Sequence, residues 1–73
     1  MKVQRMLINI GRLLGALNAL GYYHYSLGID GDIIVIECDV GPNMLRTLSI
    51  ERAMFFLMDR IERDIQLMQD DWL

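Results

Sequence analysis

His24, Ser26 and Glu37 are the residues in this 73-residue chain whose types could combine a nucleophile, a base and an orienting acid. Such a set works when the three come within hydrogen-bond reach and fixed donors await the developing oxyanion. Pairing two runs outward from a turn at Asp30-Gly31 places His24 opposite Glu37, with Ser26 two residues along the same face. A flat strand surface excludes no water and offers no oxyanion hole, so the expectation is a solvated cross-strand pair. Cys38 falls on the opposite, apolar face between Glu37 and Asp39, where a thiol behaves as a small hydrophobe and no positive neighbour activates it. Asp30-Gly31-Asp32 hints at an oxygen-rich metal loop, but Ile33 to Ile36 supply no further ligands. Gly11 and Gly15 lack the lysine and hydroxyl of a phosphate loop. No catalytic residue, metal ligand or cofactor is expected.

The elements that would position these residues follow from periodicity. Val3, Met6, Leu7, Ile10, Leu13, Leu14, Leu17 and Leu20 recur at steps of three and four, which predicts an amphipathic helix over 3–20 with Gly21 as its stop. Lys2, Arg5, Asn9 and Arg12 fall on its polar side. Gly11, Gly15 and Ala19 form a small-residue strip beside the apolar stripe, suited to close packing by another helix of this chain or of a second copy. Tyr22–Ile29 and Ile33–Val40 are aromatic and β-branched and flank Asp-Gly, a strong hairpin signal. In the register centred on that dipeptide Leu27 faces Ile34, Tyr25 faces Ile36 and Tyr23 faces Cys38, giving one apolar face.

Gly41-Pro42-Asn43 reads as a turn, and Met44–Leu48 as either a short third strand or the start of the last helix. Ser49 is placed as an N-cap, with Leu48 and Ala53 as a hydrophobic staple. Ile50, Met54, Leu57, Ile61, Ile65, Met68 and Trp72 trace the stripe of a long helix. Asp59–Arg63 and Arg60–Asp64 are expected as ion pairs on its exposed side. The fold class is therefore α+β, a single domain over 1–73 in the order α-β-β-(β)-α, with two helices packed on one face of a small antiparallel sheet. This order is similar to that of the double-stranded-RNA-binding domain. That family presents a lysine cluster at the start of its last helix, where this chain has Ser49-Ile50-Glu51-Arg52-Ala53-Met54, so RNA binding does not carry over.

Composition bounds the function. One cysteine and one histidine exclude an internal disulfide and a Cys/His zinc site. The chain is 53% hydrophobic, and exchanging its three tyrosines for its six glycines raises that further, against roughly 45–50% in ordinary domains. A domain this short buries only about 60–65% of its unfolded surface, so surplus apolar side chains point to burial against another chain. Phe55 and Phe56 lie off the stripe of the last helix, on its two flanks. Ile33 and Val35 share the outer sheet face with Tyr22, His24 and Ser26. These form the expected partner-binding surfaces. Net charge is −3, with all acids beyond residue 20, which disfavours general nucleic-acid binding. The longest uncharged stretch, Leu13–Ile29, contains Gly, Asn, His and Ser and makes no membrane span.

The expectation is a cytosolic, non-enzymatic protein-binding module, a homodimer that regulates or inhibits a larger protein. The alternative is a nucleic-acid-binding regulator using Lys2, Arg5 and Arg12, with Arg46 or Arg52.

Overall fold

Gly21 takes a φ of 75° directly after the first helix, a conformation that suits glycine and ends the helical run. Its N–H donates to the Asn18 carbonyl at 3.0 Å, tightening the last turn of α1 (Lys2–Leu20). The computed structural model describes residues 2–39 and 44–72. Its order is α1, β1 (Tyr25–Asp30), β2 (Ile33–Cys38), β3 (Met44–Thr47) and α2 (Ile50–Trp72), an α+β fold. The three strands form one antiparallel sheet in the order β1-β2-β3. The turn expected at Gly41-Pro42-Asn43, and Val40 at the expected end of the second strand, lie outside the described residues.

The hairpin forms, but its register differs by two residues from the sequence expectation. Tyr25 stands opposite Cys38, Leu27 opposite Ile36 and Ile29 opposite Ile34. The cause is the turn. Asp30 and Gly31 as central residues would both need positive φ. Here Gly31 alone has it, at 63°, and Asp32 does not, the φ pattern of a type II′ turn that begins with glycine. Moving the turn by one residue moves the pairing by two, so every side chain keeps its expected face. His24 loses Glu37 as its counterpart and pairs with Asp39 instead: Asp39 N–H donates to the His24 carbonyl at 3.0 Å, and His24 N–H to Asp39 Oδ1 at 3.2 Å. Ser26 now faces Glu37.

Met44–Thr47 is a strand, which settles the open assignment of that segment. The chain then enters α2 through the expected cap. Ser49 Oγ accepts from Arg52 N–H at 3.2 Å, and Ser49 N–H donates to Thr47 Oγ1 at 3.0 Å. The expected staple does not close, because Leu48 is exposed while Ala53 is fully buried.

Helix α2 is also turned about its axis relative to the apolar stripe. Its buried line is Ala53, Leu57, Arg60 and Asp64, and Ile65 is exposed. The Arg60–Asp64 pair expected on the solvated side is therefore inside the protein. Asp59–Arg63 stays outside, at 2.9 Å. The core consists of Ile10 and Leu17 from α1, Tyr25, Ile34 and Ile36 from the sheet, and Ala53 and Leu57 from α2. Both helices pack on this one face. They run in the same sense: Met6 lines a groove with Met54 and Met58, while Asn18 and Asp64 both reach Tyr25. Among the described residues no helix covers the other face of the sheet. Across it Arg46 on β3 reaches Asp30 on β1 at 3.2 Å, passing over the outer side of β2, where Val35 is buried.

Replacing Gly31 by Ala should destabilise the fold by about 1–2 kcal/mol, since an L side chain resists that φ although nothing crowds the added carbon. Urea unfolding of the variant against the parent measures this.

Candidate interaction surface

Tyr25 is the residue on which three elements meet. Being 1% exposed, its backbone and hydroxyl must find partners inside the protein. Its N–H donates to Asn18 Oδ1 at 2.7 Å, and its carbonyl accepts from Asn18 Nδ2 at 2.8 Å. In an antiparallel strand the N–H and C=O of one residue point to the same side. His24 directs its pair toward Asp39, so Tyr25, Leu27 and Ile29 direct theirs away from β2, to the free edge. The Asn18 amide thus occupies one position of that edge as a neighbouring strand would.

The Tyr25 hydroxyl donates to the Asp64 carboxylate, at 3.0 Å to Oδ2, and accepts from Arg60 Nε at 3.2 Å and Nη2 at 3.1 Å. Arg60 Nη2 lies 3.6 Å from Asp64 Oδ1. Burial pushes the Tyr25 hydroxyl up to about 12, with Arg60 pulling it down and Asp64 raising it further. Sequence reading missed this cluster. A tyrosine on the core face was the available signal, because a buried phenol requires a partner. Enclosed in this way, the three side chains tie β1 to α2.

The sequence-derived binding residues are not brought together. Phe55 is 67% exposed on α2, beside Met54, Met58, Glu51 and the α1 residue Met6, in a shallow groove. Phe56 is half-buried and packs against the core. Val35 lies under the Arg46–Asp30 bridge, with Ile33 half-buried beside it. Tyr22 is half-buried, its ring edge-on to Tyr23 at 4.7 Å, and Asp71 raises its pKa chiefly by hydrogen bonding. His24 is exposed at the start of the hairpin, without Glu37 opposite. Arg5 and Arg12 are exposed, and the side chain of Lys2 is outside the described set.

Gly11, Gly15 and Ala19 are all exposed, and a carbon added at either glycine would meet nothing within 4 Å. Among the described residues nothing packs against Gly11 or Gly15. On the helical wheel Leu7, Gly11 and Leu14 share the side of Asn18, the side that reaches the β1 edge. Leu7 is exposed there, as are Leu27 (38%) and Ile29 (67%) on the inner face of β1. Among the described residues no group of three or more His, Cys, Asp or Glu side chains could hold a metal ion, and no helix is long and apolar enough to cross a membrane.

Replacing Tyr25 by Phe should cost about 1–3 kcal/mol, because Asp64 keeps its burial and loses a donor. The pH dependence gives a second readout. A phenol held near 12 when folded and near 10 when unfolded contributes stability that is complete below pH 10 and lost as pH rises toward 12. Denaturation between pH 9 and 12 should show that loss in the parent and less of it in Tyr25→Phe. No family model, curated protein or solved structure matches this chain.

Proposed function

We propose that the chain is a non-enzymatic protein-binding module that associates with itself and uses a second surface to regulate or inhibit a larger protein. The observation that carries this reading is the placement of its exposed apolar side chains. Of the large apolar side chains exposed among the described residues, Ile8, Leu48 and Ile65 stand apart and the other five fall into two groups. One group, Leu7, Leu27 and Ile29, borders the open edge of β1, and another, Phe55 and Met58, borders a groove on α2. Contiguous apolar surface beside unpaired strand groups favours association, since each exposed group gains on leaving water. Two separate patches allow one to join copies while the other remains open to a different protein. Tyr25, Arg60 and Asp64 are each 8% exposed or less and are engaged with one another, while His24 lies exposed at the start of the hairpin, which supports binding over catalysis.

Sedimentation of the native chain should give twice the 8.5 kDa chain mass at tens of micromolar. Phe55→Ser should leave that mass unchanged and abolish recovery of a stoichiometric partner from source-cell extract. A lone 8.5 kDa species at millimolar concentration would remove self-association, and an extract yielding no partner for the native chain would remove the regulator reading.

A further inference from the structure

The geometry points to a second copy of this chain as the occupant of the β1 edge, paired antiparallel about a twofold axis at Gly28 so that Leu27 of each copy faces Ile29 of the other. This rests on the self-association reading above and specifies its interface.

Of the three β1 residues that point to the free edge, Tyr25 is already held at both N–H and C=O by Asn18. Leu27 and Ile29 remain, with two donors and two acceptors. A twofold axis normal to the sheet keeps both helical layers on one side and places one residue opposite itself. Centred on Leu27, it would set Tyr25 against Ile29 and demand groups that Asn18 occupies. Centred on Gly28, it joins Leu27 to Ile29 twice and satisfies all four open groups with four hydrogen bonds.

The side chains fit the same register. Leu27 and Ile29, 38% and 67% exposed on the helical side, would cover each other across the joint. On the outer face Ser26 would stand opposite Asp30, a hydroxyl donor against a carboxylate. At the axis Gly28 meets Gly28, where facing Cα atoms approach to about 4.5 Å in a non-hydrogen-bonded pair. The edge also lacks the usual protection. From Tyr25 to Ile29 it carries neither charge nor proline, whereas β3 on the opposite edge is four residues long and carries Arg46. The joined sheet would have six strands, and the open Gly11 and Gly15 strips would flank the joint from the two α1 helices.

Gly28→Cys tests the register, since nothing lies within 4 Å of the added carbon and the expected Cα separation suits a disulfide, which spans about 4.4–6.8 Å. Mild oxidation should convert this variant to a covalent dimer through the introduced thiols, as read by non-reducing electrophoresis and peptide mapping. The native chain, with Cys38 alone, and Leu27→Cys should remain largely uncrosslinked. Ile29→Pro tests the pairing itself. It removes an N–H that points away from β2 to the free edge, so the variant should keep its far-ultraviolet dichroism and lose affinity for itself by about tenfold or more.

A dimeric native chain whose Gly28→Cys variant fails to crosslink, or whose Leu27→Cys variant crosslinks instead, overturns this register and leaves self-association standing. A folded Ile29→Pro variant that associates as tightly as the parent overturns edge pairing. Should that variant unfold, the crosslinking result decides alone. A native chain monomeric at millimolar concentration overturns both readings.

Discussion

The fold depends on one side chain held at both ends. Tyr25 fixes β1 to α1 through the Asn18 amide and to α2 through Arg60 and Asp64. A small core, with seven buried residues among those described, leaves little margin, and a charge pair inside it stabilises only when its geometry and hydrogen bonds are good. The phenol supplies them. It gives Asp64 a donor, gives Arg60 an acceptor, and fills the space between helix and sheet with its ring. The guanidinium carbon lies 5.8 Å from the ring centre, so the same contact contributes attraction through the aromatic face. Tyr23 and Tyr22 extend the cluster edge-on toward the end of α2.

The asparagine contact has a further meaning for the sheet. A three-stranded sheet has two open edges, and each is an invitation to another strand. Here β3 is shortened and charged, whereas β1 is blocked at Tyr25 and left open at Leu27 and Ile29. The block comes from a helix rather than from a residue in the strand itself. It leaves the strand's own side chains apolar while restricting what can pair with them. The outer face is handled differently. The Arg46–Asp30 bridge lies in water and contributes little stability as an ion pair, yet the arginine stem covers Val35 and keeps that side of the sheet from being apolar.

Much of this was legible in the sequence where the signal is local. The helix stop at Gly21, the Ser49 cap and the segregated faces of the hairpin each arise from residues close together in the chain, and each is present. The hairpin register was off by one turn position because Asp-Gly and Gly-Asp are both good central pairs, and side-chain alternation cannot tell registers two residues apart. The orientation of α2 was missed for a different reason. An arginine four residues before an aspartate looks the same on a solvated face as in a core. Only Tyr25, distant in sequence, distinguishes the two. The candidate surface was legible in part. Phe55 and the small-residue strip stand out in the sequence, whereas Leu27 reads as part of the covered face and Ile29 carries no signal of its own, because nothing local shows how far two helices extend over a sheet.

The spacing of the Tyr25 contacts along the chain bears on how the protein is assembled. Asn18 is seven residues away, Arg60 thirty-five and Asp64 thirty-nine. Closing the first loop costs little chain entropy, and closing the others costs more. The Asn18 contact can therefore close before the other two. Arrival of the last helix then removes phenol, guanidinium and carboxylate from solvent in a single step. An intermediate with one of those charges dehydrated before the others are in place is disfavoured. A chain that ends before residue 60 has the Asn18 contact available to Tyr25 and lacks both partners of its hydroxyl.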